Sequence, residues 1–463
     1  MPGIFSPFPA KAPFGVGTML LLTDATVMAQ EGETQHWWKL TPDITGSYIN
    51  GKWTPLADGP NGPLYFASAV LRDGRVFVAG GEYNFGVEVD LLAAEIYDPR
   101  SNSWTTLPTP PGWTNIGDAP CCVLPDGRVM LGYLHDRRTA IYDPATNTWA
   151  AGADKLFGAS STEETWTLLP DETILVCDCS AHPATEKYVI AAGHWVSCGV
   201  TPTDLVEASS VEIGPAILLP DGRLFAIGAT GQTALYTMPP IASQAGAWAH
   251  GPVFPVVAGK QLGAKDAPAV LLPNGLVLCA VGPVDGVSAD YLSPTYFFEF
   301  DPLTNLLAPT GPVLPTAPYV SRFLLLPTGQ ALFADGSNQL QIYTPSGAPD
   351  TMWLPSITSA PASVTPGLTY PLHGRQINGL SQAVSYGDDA TMATNYPIVQ
   401  IRASAGGHVY SCRTFGHSSM GVNTGTVIHE TQFTVAPGTP AGPAELVVIA
   451  NGIASHPVGV TVT

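Results

Sequence analysis

The chain has 463 residues, with 18 Lys+Arg against 37 Asp+Glu and a formal net charge of −19. So few basic groups exclude electrostatic docking on nucleic acid or an anionic membrane, because either polyanion would be repelled. Hydrophobic residues reach 45% and Gly and Pro number 48 and 45, which leaves a turn-rich, core-forming all-β chain and excludes an acidic disordered tail.

No run of about 18 apolar residues is present, which excludes a transmembrane helix. The opening MPGIFSPFPAKAPFG has neither the basic start nor the apolar stretch of a secretory signal. The default expectation is a cytoplasmic protein, or a secreted one if the chain is a mature form. The seven cysteines (Cys121, Cys122, Cys177, Cys179, Cys198, Cys279 and Cys412) are odd in number and sit in apolar runs. They read as buried thiols, since no four of them have zinc-ligand spacing.

From the amino end, seven segments repeat one pattern of apolar run, turn and second apolar run. They are GTMLLLTDATVMAQ, ASAVLRDGRVFVAGG, APCCVLPDGRVMLG, ETWTLLPDETILVC, GPAILLPDGRLFAIG, APAVLLPNGLVLCAVG and RFLLLPTGQALFADG. The residue before the turn is Leu22, Leu71, Leu124, Leu169, Leu219, Leu272 or Leu326, a period of about 50 residues. Asp73-Gly74, Asp126-Gly127, Asp221-Gly222 and Asn274-Gly275 are hairpin pairs that tolerate positive φ at both positions. A third strand then centres on Tyr97, Tyr142, Tyr236, Phe300 or Tyr343, and a fourth on Trp53, Trp104, Trp149, Trp195, Trp248 or Trp353.

Four strands per unit at this period is the kelch signature. Such a unit cannot bury both faces alone, so the units stack radially into a closed propeller. The pattern predicts a seven-bladed kelch β-propeller over residues 1–355. Residues 356–463 lose the period and alternate in short strands, which predicts an immunoglobulin-like β-sandwich. Whether the first residues close the ring by pairing with the last blade is left open.

Residues just before each innermost strand should gather at one mouth of the central channel. Counting six back from the aligned leucines gives Tyr65, Asp118, Glu163 and Asp266, among others, and Glu212 and Tyr319 lie one further back. Lys265 and Arg322 are adjacent cations. Carboxylates gathered around a cavity could hold a hydrated cation or act as general acid and base. Equally, they could accept backbone N–H groups and pin the ring. Trp113 precedes Asp118 and is placed to stack on a flat substrate or to anchor its loop.

The chain resembles the galactose oxidase and glyoxal oxidase family of copper radical oxidases. The segment LYFASAVLRDGRVFVAGG is similar to the family's radical-tyrosine blade and implies that role for Tyr65. APYVSRFLLLPTGQALF is similar to its Tyr-His-Ser segment and implies an axial copper tyrosine at Tyr319. CRTFGHSSMGV resembles the sandwich loop that carries a copper histidine into the channel, which would be His417. The next copper histidine is replaced by Val320, no cross-linking cysteine stands near Val16, and Tyr83 takes the place of the stacking tryptophan. Copper radical chemistry is therefore not expected, since imidazole is a favoured copper ligand.

The sequence thus points to an enzyme, a hydrolase or lyase acting on a carbohydrate or polyhydroxylated substrate. Asp118, Glu163 and Asp266 would supply acid and base, Tyr65 and Tyr319 would orient hydroxyls, and His417 would shuttle a proton. Trp113, Glu212, Lys265, Arg322 and Tyr83 would complete the binding surface. If a metal is held, Tyr319, His417, Asp118 and Asp266 are its ligands, and Ca²⁺ or Mg²⁺ suits an oxygen-rich set better than copper. Two other readings stand beside this one: a non-catalytic glycan- or protein-binding propeller, and a residual metal-dependent oxidoreductase using Tyr65, Tyr319 and His417. The partner is a small molecule or glycan, and the chain is expected to act as a monomer.

Overall fold

The computed structural model describes residues 2–286, 290–386, 392–404 and 406–463. Apart from two short 3₁₀ turns, every regular element among them is a strand. Six of the seven repeated segments open a four-stranded antiparallel sheet, and the sixth in chain order opens four antiparallel strands within a larger seven-stranded sheet. Their innermost strands are Val16–Leu21, Ala67–Val70, Cys121–Val123, Trp166–Leu168, Ala216–Leu218, Ala269–Leu271 and Arg322–Leu325. Each packs beside the next, and Arg322–Leu325 packs beside Val16–Leu21, so the circuit closes. The fold is a kelch propeller.

Ring closure comes from the amino terminus. Ile4–Pro7 pairs antiparallel with Gln341–Thr344 and forms the outer strand of the array that opens with Arg322. Trp353, expected in that outer strand, instead lies in a 3₁₀ turn, Thr351–Trp353. The outer position was already occupied by a segment more than 330 residues away.

The repeated aromatics explain why these sequences form blades. Tyr97, Tyr142, Tyr188 and Tyr236 stand directly opposite Trp104, Trp149, Trp195 and Trp248 across the third and fourth strands. Their ring centroids are 5.1–5.4 Å apart, a geometry that contributes about 0.5–1.5 kcal/mol beyond area burial. The indole N–H groups of Trp104, Trp149 and Trp195 donate to the carbonyls of Ala57, Pro108 and Ala153 in the preceding blade.

The hairpins differ from expectation in detail. In Asp73-Gly74 and its equivalents only the glycine has positive φ, +83° at Gly74 and +91° at Gly127. The aspartate side chain instead accepts the N–H two residues on, as Asp73 does from Arg75 at 3.0 Å. That capping favours Asp locally without requiring a left-handed backbone. All seven cysteines are buried free thiols.

From Ser356 the chain forms a nine-stranded sheet, Ser356–Ser359 through Val458–Val462. It folds around a separate core that includes Val364, Leu372, Val399, Phe433 and Leu446. This unit docks on the hairpin-turn end of the propeller: Gly416 and Met420 donate their N–H groups to the carbonyls of Arg72 (2.7 Å) and Pro125 (2.8 Å). One segment departs from it. Val384–Ser385 enters the ring and pairs with the inner strand Ala269–Leu271, beside the inner strands of the neighbouring blades.

Candidate active site

At the ring end where the innermost strands begin lies an open cleft of about 420 Å³. Tyr65, Asp118, Glu163, Asp266, Tyr319, Glu212 and Tyr83 all line it. Repeat alignment alone therefore brings together six residues that span more than 250 positions of sequence, and the family resemblance adds Tyr83. Glu33, Glu82 and Tyr291 line it too, giving six carboxylates and four phenols around one space. Glu33 and Glu82 lie on links from second to third strands, and Tyr291 lies in the long link before Thr295–Asp301. Those links open at the same end as the residues before the inner strands, a signal that counting back from the leucines does not use.

The backbone here is strained in a repeated way. Tyr65, Glu163 and Asp266 have φ of +50°, +62° and +46°, although none is glycine and all occupy the same register position in their repeats. A left-handed non-glycine residue costs on the order of 1–3 kcal/mol and persists where its surroundings enforce it. The conformation turns the side chain out of the strand direction at the point where the chain enters the inner strand.

Hydroxyl groups organise the carboxylates. Thr162 Oγ1 lies 3.4 Å from Asp118 and 3.2 Å from Glu163, bridging two blades. The Tyr291 hydroxyl donates to Glu212, and burial, then the charges of Glu212 and Asp266, hold that phenol well above its ordinary pKa. Glu82 raises Tyr83 in the same sense, with burial adding to it. Tyr291 and Tyr319 pack with centroids 4.6 Å apart.

The two cations sit behind this surface. Lys265 Nζ lies 4.7 Å from the Tyr291 ring centroid and 3.5 Å from Glu207. The Arg322 guanidinium stacks 3.5 Å over the Tyr386 ring, lies 5.9 Å from that of Tyr65, and donates to the Tyr319 and Ser321 carbonyls at 2.8 Å each. Tyr386, which the sequence did not single out, arrives on the segment that enters the ring.

Two expected site residues lie elsewhere. His417 is buried against the hairpin-turn end, with Nδ1 2.9 Å from Thr431 Oγ1 and its ring stacked on Tyr396. The docking bonds of Gly416 and Met420 hold its loop there, so it has no place in the cleft and does not shuttle a proton in it. Burial, reinforced by Arg72, pushes its pKa down to about 3. Trp113 is buried on Tyr133 at 4.5 Å and anchors its loop. Glu164, next to Glu163 in sequence, turns inward to a fully buried Lys155 that also faces Asp178 at 3.4 Å and Glu186 at 3.8 Å. Burial, opposed by Lys155, pushes Glu164 up to about 8.

Among the described residues, the lining groups of the cleft include no histidine or cysteine, and no three His, Cys, Asp or Glu side chains converge to hold a metal ion. A donor set of carboxylates and phenols without imidazole does not fit copper.

An all-β ring of repeated four-stranded arrays with an acidic, phenol-lined mouth defines a kelch-repeat propeller with a carboxyl-terminal sandwich. Residues 63–111 match the Kelch motif family model. Over its whole length the chain superposes on a fungal alcohol oxidase of the AA5 family, solved in complex with copper, with a TM-score of 0.54, 16% identity, and 100% and 99% of the two chains covered. At that identity the likeness is one of fold, and the fold is galactose oxidase-like. The chain is also 28% identical over 137 residues to the Kelch-like protein terF of Aspergillus terreus, covering 28% of each protein. It is 30% identical over 97 residues to the N-acetylneuraminate epimerase of Shigella flexneri, covering 20% of this chain and 25% of that protein. The chain thus spans about a quarter of the length of the curated relatives it matches.

Proposed function

We propose that the cleft is the active site of an enzyme that performs acid/base chemistry on a carbohydrate or other polyhydroxylated substrate. The observation that carries this reading is the convergence of Asp118, Glu163, Asp266 and Glu212 with Tyr65, Tyr83, Tyr291 and Tyr319 on one open cavity. Carboxyl groups crowded together titrate apart, because each charge disfavours the next. One can then stay protonated as a general acid while another accepts a proton as a base. Phenol hydroxyls both donate and accept, which suits them to orient substrate hydroxyls. The partial relative named for N-acetylneuraminate supports a sugar as the first substrate class to try.

The test is a screen of neutral sugars, amino sugars and N-acetylated acidic sugars, each incubated with the protein and followed by proton NMR. Conversion of one of them, blocked by a competing ligand of the cleft, is the expected result. Ligands that bind without any chemical change would favour the binding-propeller reading.

A further inference from the structure

We infer that the chain holds a self-modification site behind the cleft, where Nζ of Lys155 forms an amide bond with the side-chain carboxyl group of Glu164 and Asp178 carries the protons. No residue of the proposed acid/base set takes part in it.

Lys155 stands on the link between the outer strand Thr148–Ala151 and the inner strand Trp166–Leu168 of the next blade. Glu164 ends that link, nine positions on, and accepts from Lys155 Nζ through Oε1. Neither side chain has exposed surface. A Lys–Glu pair at a surface stays an ion pair because water solvates both charges. Here water is shut out, and each buried charge is costly. Burial, opposed by Lys155, lifts Glu164 to about 8, so at neutral pH it is mostly the uncharged acid. That matters because an amine attacks a carboxylic acid and not a carboxylate. The indole N–H of Trp166 donates to Oε2 of Glu164 at 3.0 Å. This marks Oε2 as the carbonyl oxygen and sets a donor where negative charge grows when Cδ is attacked. Oε1, on the Lys155 side, is then the leaving oxygen.

The amine must first lose a proton. Burial lowers the pKa of Lys155, and the carboxylates, Glu164 foremost, raise it above the ordinary value on balance. A base within reach is therefore required. Asp178 Oδ2 lies 3.4 Å from Nζ, while its other oxygen is fixed by the Ala181 N–H at 2.5 Å. Glu186 is 3.8 Å from Nζ and accepts the Leu156 N–H at 2.7 Å, which leaves the task to Asp178. Passing the proton to Asp178 cancels one buried charge pair. The Nζ–Cδ bond then forms and the Cδ–Oε1 bond breaks. Oε1 leaves as water with its own hydrogen and a second that Nζ gives up by way of Asp178. Nothing is oxidised or reduced, and no co-reactant is needed. The ion pair is the state in which the chain folds, and the amide follows from it. The bond clamps the link that carries Thr162 and Glu163, whose hydroxyl and carboxyl groups meet at 3.2 Å.

Mass spectrometry of the purified chain tests this. The intact mass is expected about 18 Da below that of the sequence, the loss of one water. Trypsin should leave Lys155 uncut, so that one peptide from Thr139 to Lys187 carries the loss, with fragment ions placing it between Lys155 and Glu164. Lys155→Arg and Asp178→Asn should each show the full mass of their own sequences. Full mass in the parent, with cleavage after Lys155, overturns the bond. So does a water loss that persists in Lys155→Arg, which would place the dehydration elsewhere, as at Asp73-Gly74. A loss retained in folded Asp178→Asn overturns the part given to Asp178. The parent's peptide map decides alone if neither variant folds.

Discussion

The indole N–H of Trp195 donates to the backbone carbonyl of Ala153 at 3.0 Å, tying the fourth strand of one blade to the edge of the blade before it. Trp195 is 4% exposed and packs on Tyr188 in its own blade and Trp166 on the inner strand. The residue thus joins packing within a blade to cohesion between blades. Trp195→Phe should keep most of the packing and lose the bond, destabilising the protein by about 1–2 kcal/mol. Trp195→Ala should cost about 3–5 kcal/mol. Denaturant unfolding of both variants separates the two contributions, and a Trp195→Phe protein as stable as the parent would show that the N–H bond contributes nothing.

The left-handed mouth residues should trade stability for function. Glu163→Gly removes the strain of a φ of +62° and should leave the protein no less stable, with a gain of up to about 1 kcal/mol. Turnover or ligand binding at the cleft should fall in the same variant. A marked loss of thermal stability would instead make the Glu163 side chain part of the framework.

Lys155 faces Glu164, Asp178 and Glu186 with no exposed side-chain surface on any of them. Removing the cation leaves buried carboxylates uncompensated, so Lys155→Met should destabilise by about 3–5 kcal/mol. The loss should be smaller at low pH, where Glu164 takes up a proton. Unfolding measured at pH 5 and pH 8 tests the sign.

His417 supplies a separate pH dependence. Its folded-state pKa of about 3 lies below the ordinary value of 6.5, so the unfolded chain binds the extra proton. The stability contribution is fully present above pH 6.5 and is lost as pH falls toward 3, with a slope of at most about 1.4 kcal/mol per unit. His417→Gln should therefore show a flatter fall in Tm between pH 6.5 and 4.5 than the parent. Parallel curves would mean that the histidine is protonated in the folded state.

The propeller was legible because its determinants are local and recur. An apolar run, an Asp-Gly turn and an opposed Tyr–Trp pair are each short-range, and register across repeats then locates Tyr65, Asp118, Glu163 and Asp266 at one mouth. What escaped is long-range and occurs once. The pairing of Ile4–Pro7 with Gln341–Thr344 leaves no periodic trace. The entry of Val384–Ser385 into the ring rests on two paired residues within GLSQAVSYG, too few to read as a strand. His417 was placed in the channel by motif resemblance, whereas the carbonyls of Arg72 and Pro125 that hold its loop at the other end belong to hairpins far away in sequence.

The most direct test of the acid/base reading is the turnover of Asp118→Asn/Asp266→Asn beside the parent on a substrate found by the screen. The account predicts a loss of at least about 100-fold with the thermal unfolding temperature retained. Turnover unchanged in a folded double variant would contradict it.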